Sequence, residues 1–401
     1  MEQDAHHDQT VREAADVLGT WIADHPNDAA AGGVRILPDH KTIAVYWKGS
    51  APAALQTLAA SLAVPVTFKV AAYSRAELLA AAQAFASANL DTIGAVGRAP
   101  DFSGLSVLIS AKAPPGTFTQ LKAKSGIPLI LRGTGDPTPL DARAPQSGRT
   151  ASTNGCPVPA RCGDSAPFYG GGLVRIRGVG DCSTGVSLYA GPHNYMTTAW
   201  HCSANGAGTF TGFDSGNVIG TVASPDHIKN YRDFMLIETS SNTGRIWTGN
   251  WETTSSLRVS GMARPSVNGE GGHTVACSCG ASGNGHYQYV AIDGDFWPIR
   301  GRLVGPGFYA EEYPDRNDPD HPATGWVQPG DSGSPIVRGS SYYELQGFLS
   351  AGGIGTSPYC APGRHPLFNG DPDIPGCWTE YWATYADTAI GSIAGLHLKT
   401  S

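Results

Sequence analysis

The segment Gly330-Asp331-Ser332-Gly333-Ser334-Pro335 sets a hydroxyl between two glycines, and the apolar pair Ile336-Val337 follows. Two other segments hold what such a hydroxyl lacks. Thr198-Ala199-Trp200-His201-Cys202 offers an imidazole, and Asp233-Phe234-Met235-Leu236-Ile237 a carboxylate before an apolar run. A serine hydroxyl is a weak nucleophile at neutral pH until an adjacent base takes its proton, and histidine is the usual base. The histidine needs a buried carboxylate to hold its tautomer and stabilise the imidazolium. Ser332, His201 and Asp233 are assigned these roles. The chemistry would be acyl transfer through a serine ester. Its oxyanion needs donors fixed in advance, and glycine at 330 lets the N–H groups of Gly330 and Ser332 aim at one point. Losing one such donor typically costs about 3–4 kcal/mol of transition-state stabilisation.

Each piece alone has an ordinary reading: a turn, a packed histidine, a strand-start aspartate. Together they form three fragments in one order, each beside strand-like sequence. Asp226 competes for the role of acid. Asp233 is preferred because it directly precedes an apolar strand that can bury and fix it.

These segments resemble the chymotrypsin-like serine peptidases, whose chain order is also His, Asp, Ser. The likeness is to the secreted bacterial branch with alpha-lytic protease and the streptogrisins, over roughly residues 165–401. Thr198 to Cys202 is similar to that family's Thr-Ala-Ala-His-Cys, with Trp200 in the variable slot. Leu345 to Gly353 resembles the strand after the nucleophile. The resemblance implies that Ser350, Ala351 and Gly352 pair with the substrate backbone as an added strand, and that Ser350 lies near the acid. It implies a Cys182–Cys202 bridge over the histidine loop. In trypsin-like relatives an Asp six residues before the nucleophile attracts Lys or Arg. Trp326 holds that slot here, and Val327, Phe348 and Leu349 are further pocket candidates. All are apolar, so an uncharged, apolar side chain is expected before the scissile bond. Asp371 or Asp373 could also reach the pocket.

Only 15% of the 401 residues are charged, 52 are glycine and the net charge is −7. This suits a loop-rich β protein and suggests neither a nucleic-acid nor an anionic-membrane partner. The eight cysteines, at 156, 162, 182, 202, 277, 279, 360 and 377, are even in number and absent from the first third. That fits disulfides in an oxidising compartment and secretion. Cys360–Cys377 and Cys156–Cys162 are candidate pairs, while Cys277-Ser278-Cys279 reads as too short for an easy bridge. No finger-type Cys spacing and no His-Glu-x-x-His occurs, so no metal or cofactor is expected. The acidic loop from Glu311 to Asp315, with Asp320-His321, reads as solvated rather than as a calcium site. Residues 1–10 are polar and show no signal peptide, and no apolar run is long enough to span a bilayer.

Residues 1–133 read as a small α+β domain. Helices are predicted over 10–25, with a Thr10/Glu13 capping box, over 53–62 and from 74 to 89, with a Ser74/Glu77 box. Strands are predicted at 42–47, 66–70, 107–109 and 128–131. By resemblance to peptidase pro-regions, this domain would assist folding and act as an intramolecular inhibitor, occluding the cleft until removed. Residues 134–168 form a Pro/Gly/Ser-rich linker with the maturation site, an exposed stretch open to nicking. Residues 169–401 read as an all-β catalytic domain. The family's fold would make it two six-stranded antiparallel β-barrels, closed by a helix near Trp378 to Ile390. The functional expectation is a secreted, monomeric serine endopeptidase made as a zymogen and acting on protein or peptide. A catalytically inactive binding protein on the same scaffold is the alternative. An α/β-hydrolase esterase is disfavoured, since Ser334 stands where its elbow needs glycine.

Overall fold

A computed structural model describes residues 2–400 apart from 26–27, 40, 140–141, 144–159, 177–178, 204–207, 214, 223, 266, 269–273, 281–282, 285–287, 313–326, 340–342, 354–355 and 358–376. The chain divides into two compact units. One comprises residues 1–136, 265–274 and 288–313, and the other residues 137–264, 275–287 and 314–401.

The first unit has two apolar clusters. In one, helix Glu2–Ala23 buries Val11, Ala14, Ala15, Leu18 and Ile22 with Val34, Ile36, Ile43 and Val45 of strands Ala31–Ile36 and Ile43–Trp47. The predicted face is the buried one. The helix begins well before Thr10, because no glycine or proline interrupts residues 2–9, so Thr10 and Glu13 do not cap it. Helix Arg75–Ala88 opens on the predicted box: Glu77 N–H donates to Ser74 Oγ at 3.3 Å and Ser74 N–H to Glu77 Oε2 at 2.8 Å. Strand Val66–Val70 pairs with Ile43–Trp47, but residues 67–70 are exposed, so its alternation marks no buried face.

The second cluster lies on a sheet with the order Arg302–Glu312, Gln288–Ile299, Ile93–Arg98, Leu105–Ile109, Leu129–Thr134. Its first two strands are an antiparallel hairpin from far along the chain, joined where Phe296 pairs with Val96. Gly97 permits this approach, since a Cβ there would stand 2.6 Å from Asp295 Oδ1. The hairpin brings fully buried Asp293 and Asp295. Asp293 meets buried Arg98 and, at 2.8 Å, Arg75, while Asp295 meets Arg132 at 3.0 Å. Burial pushes the Arg98 guanidinium down to about 10, against the pull of Asp293.

The second unit is strand-rich, as expected, and rests on two antiparallel sheets. In the first, Ser187–Ala190, His193–Thr198, Phe234–Thr239, Val218–Val222, Thr209–Gly212, Leu173–Ile176 and Gly180–Ser183 follow one another. In the second, Thr274–Cys279, Pro335–Arg338, Tyr343–Gly352 and Glu380–Tyr385 do. Strand Phe234–Thr239 is buried on both faces. Phe234 and Leu236 enter one cluster, with Val186, Val337 and Leu345. Met235 and Ile237 enter another, with Val174, Met196 and Ile219. Successive strand side chains point oppositely, so an unbroken apolar run is what such a strand needs.

Two expectations are corrected. Residues 380–385 form strand Glu380–Tyr385, the helix is confined to Ala386–Gly391, and a short strand His397–Leu398 follows. Aromatics at 378, 382 and 385 also satisfy a buried strand, and Tyr381, Trp382 and Ala383 are all buried. Cys277 and Cys279 are bridged to each other, their Cα atoms 5.2 Å apart, within normal reach of a disulfide. The expected Cys182–Cys202 bridge is present. Cys162 and Cys377 are disulfide-bonded, and the pairings proposed for them with Cys156 and Cys360 lie outside the described residues.

Candidate active site

His201 sits in a short 3-10 turn, Trp200–Cys202, directly after strand His193–Thr198. The Cys182–Cys202 bridge ties that turn to the adjoining strand Gly180–Ser183. Asp233 precedes the doubly buried strand and has left-handed backbone, φ 46° and ψ 47°. For a residue other than glycine this costs on the order of 1–3 kcal/mol and persists where packing over-determines it. Here the anchored strand fixes one side of Asp233 and His201 the other.

The three expected side chains converge. His201 Nε2 lies 2.6 Å from Ser332 Oγ. His201 Nδ1 lies 2.9 Å and 2.8 Å from the two oxygens of Asp233. Asp233 Oδ1 also accepts from the His201 backbone N–H at 3.0 Å, and Oδ2 from Ser350 Oγ at 2.5 Å. The carboxylate therefore holds the histidine by ring and backbone at once, and a hydroxyl locks the carboxylate. Asp226 is exposed and takes no part.

The loop that carries Ser332 is held by its own amides. Gln328 N–H donates to Asp331 Oδ2 at 2.9 Å, and Asp331 N–H to the Gln328 carbonyl at 3.1 Å. Gly333 N–H donates to the Leu349 carbonyl at 2.8 Å, and Ser334 N–H to the Asp331 carbonyl at 3.0 Å. Residue 329 is proline. The N–H groups left without a backbone acceptor among the described residues are those of Gly330 and Ser332. Gly330 has φ 99°, a conformation that favours glycine. A Cβ on Gly333 would come within 2.5 Å of Thr198 Oγ1 and 2.6 Å of Ala199 N, so that glycine permits contact with the histidine strand.

Around this centre, Ser183 N–H donates to the Ser332 carbonyl at 2.8 Å and Ser183 Oγ to the Gly330 carbonyl at 2.7 Å. Thr198 Oγ1 donates to the Ser183 carbonyl at 2.8 Å. Nothing in the sequence singles out Ser183 except its place beside Cys182. His201 and Ser332 are each 0% exposed.

Of the pocket candidates, Val327 is buried and pairs with Trp378, and Leu349 is buried beside the loop that carries Ser332. Phe348 lies in the core, its ring 5.2 Å from that of Phe234. Trp326, Asp371, Asp373 and the acidic stretch 313–321 lie outside the described residues. Among those described, no group of three metal-ligating side chains occurs and no helix is long and apolar enough to cross a membrane.

Strand Tyr343–Gly352 carries one feature absent from the sequence reading. Thr138 pairs with Gly352 and Pro139 with Ala351, antiparallel. Farther on, Ala142 pairs with Asp181 and Arg143 with Gly180. The far end of the expected linker is also packed: Ala160, Arg161, Cys162 and Asp164 are buried. Arg161 donates to the carbonyls of Trp247, Gly249 and Cys279 and to Ser278 Oγ. Nothing in the sequence marks that anchoring, since Arg and Asp ordinarily read as exposed.

No protein-family model matches the sequence, and no curated protein matches it. Among solved structures the chain is similar to Thermobifida fusca Protease A, at 17% identity over 58% of this chain and 98% of that one, with a TM-score of 0.37. It is similar to Cellulomonas bogoriensis chymotrypsin at 18% identity over 58% and 98%, with a TM-score of 0.38. It is likewise similar to a glutamic acid specific serine protease at 18% identity over 58% and 100%, with a TM-score of 0.39.

Proposed function

We propose that this chain is a secreted serine endopeptidase made as a zymogen. The reading is carried by the 2.6 Å approach of His201 Nε2 to Ser332 Oγ, with the ring held from behind by Asp233. Ser332 Oγ attacks a peptide carbonyl while His201 takes the hydroxyl proton. The Gly330 and Ser332 N–H groups receive the oxyanion. His201 returns the proton to the leaving amine, and water then releases the acyl group from Ser332 by the same route in reverse. Asp233 stays ionised and Ser350 orients it. The apolar character of Val327 and Leu349 suits an apolar side chain before the cut.

Residues 1–133 are read as a pro-region that assists folding and occludes the cleft. Its lack of cysteine and a first apolar cluster built wholly from its own residues, Val11 to Val66, support a part with a core of its own. All-β domains depend on non-local contacts and fold slowly, which gives such a helper a physical purpose. The disulfides support an oxidising, extracellular setting. The test is a serine-directed fluorophosphonate. The matured wild-type protein is expected to be labelled at Ser332 at neutral pH, and Ser332→Ala not at all. Absence of labelling in the matured wild type rejects the reading.

A further inference from the structure

Ser183 clasps the loop that carries Ser332 at two carbonyls. Its N–H donates to the Ser332 carbonyl at 2.8 Å and its Oγ to the Gly330 carbonyl at 2.7 Å. A hydroxyl has a single proton, so something must dictate where it points. Gly280 N–H does so: it donates to Ser183 Oγ at 3.1 Å, and over a longer path to Ser334 Oγ at 3.4 Å. An N–H can only donate, so the Ser183 proton is left for the Gly330 carbonyl. Glycine at 280 allows this approach, since a Cβ there would stand 2.4 Å from Ser183 Oγ.

The N–H of Gly280 shares one rigid plane with the Cys279 carbonyl. That carbonyl accepts from Arg161 Nη1 at 3.2 Å, so Arg161 and Ser183 grip opposite ends of a single peptide unit. Arg161 Nη2 bonds Ser278 Oγ at 2.9 Å, between the two bridged cysteines. The same fork reaches the Gly249 and Trp247 carbonyls at 2.8 Å and 3.0 Å, and the Arg161 backbone N–H donates to the Thr253 carbonyl at 2.9 Å. Burial pushes the guanidinium down to about 10, against the pull of Asp331 and Asp164 among others, so it stays charged at neutral pH. A charged donor holds its acceptor more tightly than a neutral one, and the planar fork fixes direction as well.

We propose that Arg161 is a positioning residue for the oxyanion donors. It fixes the Cys279–Gly280 peptide, that peptide orients Ser183 Oγ, and Ser183 holds the Gly330 carbonyl. The Gly330 carbonyl lies along the backbone between the N–H groups of Gly330 and Ser332. Its peptide is tied within the loop by Asp331 N–H on the Gln328 carbonyl, at 3.1 Å, and tied to strand Gly180–Ser183 by Ser183 alone among these bonds. The relay therefore keeps the two donors aimed at one point, where a developing oxyanion needs them. The proposal rests on the serine-peptidase reading above. It makes the segment around Arg161 part of the working enzyme rather than of the linker.

The test is steady-state cleavage of a peptide anilide with leucine before the anilide. Active sites are counted by complete fluorophosphonate labelling, so that kcat refers to folded enzyme. Arg161→Lys keeps the charge and loses the fork. This change and Ser183→Ala are each expected to lower kcat about tenfold with KM within about twofold, a part of the roughly 10²–10³-fold loss that follows removal of an oxyanion donor. The double variant is expected to be no slower than the slower single one, because both changes cut one relay. A purely structural role would reduce the number of labelled sites and leave kcat per site unchanged, and independent roles would multiply to about a hundredfold. Either outcome overturns the proposal, and Ser183→Ala at wild-type kcat does so without any Arg161 variant. Wild type that does not label means that the peptidase reading has failed, and the relay with it. Wild type that labels, beside variants of unchanged kcat, means that the relay alone has failed.

Discussion

The two units are cross-linked by different means, one over long stretches of chain and one over short ones. In the first, Arg98 meets Asp293 across 195 residues and Arg132 meets Asp295 across 163, all as ion pairs at buried carboxylates. In the second, Cys182–Cys202 and Cys277–Cys279 are covalent and local, spanning 20 and 2 residues. A desolvated ion pair adds little net stability over an apolar contact, but it is strict about its partner, because either charge alone is costly. A disulfide restricts the unfolded chain and needs no partner surface to persist. The first unit is therefore held by contacts that can be broken and remade, and the second by bonds that outlast any rearrangement around them.

The largest test of this contrast is Asp293→Ala, which leaves Arg98 buried and uncompensated. It is expected to cost the first unit about 3–5 kcal/mol, read as loss of hydrogen-exchange protection over Ile93–Arg98 with Phe234–Thr239 unchanged. Replacing both partners, Arg98→Met with Asp293→Leu, should recover most of that loss. Recovery failing would mean that the charges contribute more than partner choice.

The paired change Cys182→Ser with Cys202→Ser acts on the other side of the comparison. It is expected to cost about 3 kcal/mol, now confined to protection of the second unit's strands. Equal losses in both units would show that they unfold as one and that the contrast has no thermodynamic content.

A subtler difference is one of pH. Burial pushes the Asp164 carboxyl up to about 8 from its ordinary 3.8. Between those values the folded chain holds a proton that the unfolded chain has lost. Stability of the second unit should therefore fall as pH rises from about 4 to about 8 and level off above, with a slope no steeper than about 1.4 kcal/mol per pH unit. Asp164→Asn should flatten that slope in denaturant titrations across the range. The smallest effect is Ser74→Ala in the first unit, a lost helix cap worth about 1 kcal/mol by thermal unfolding.

What could be read beforehand divides along the same line. His201, Asp233 and Ser332 were legible because each stands in a local pattern: a turn after a strand, a charge before an apolar run, a hydroxyl between glycines. Helix Arg75–Ala88 was legible because capping is local. The hairpin Gln288–Ile299 with Arg302–Glu312 was partly visible as strands, but its place beside Ile93–Arg98 was not. Asp293 and Asp295 look like solvated residues until the arginines opposite them are known. The strand Thr138–Pro139 was hidden because proline in a Gly/Ser-rich stretch reads as loop, although an edge strand tolerates it. The closing helix was misplaced because aromatic spacing at 378, 382 and 385 serves a buried strand as well.

Of the five neighbouring first-unit strands around Ile93–Arg98, two come from residues 288–312. A single scission anywhere between residues 135 and 287 would put those two strands on one polypeptide and the other three on another. Severing the backbone there would thus create a non-covalent heterodimer rather than two free pieces. Departure of the smaller piece would require unzipping the 93–98 ladder and separating five charged groups, Arg75, Arg98, Arg132, Asp293 and Asp295, so the lifetime of that nicked pair becomes a quantity of its own, separable from the speed of the cut.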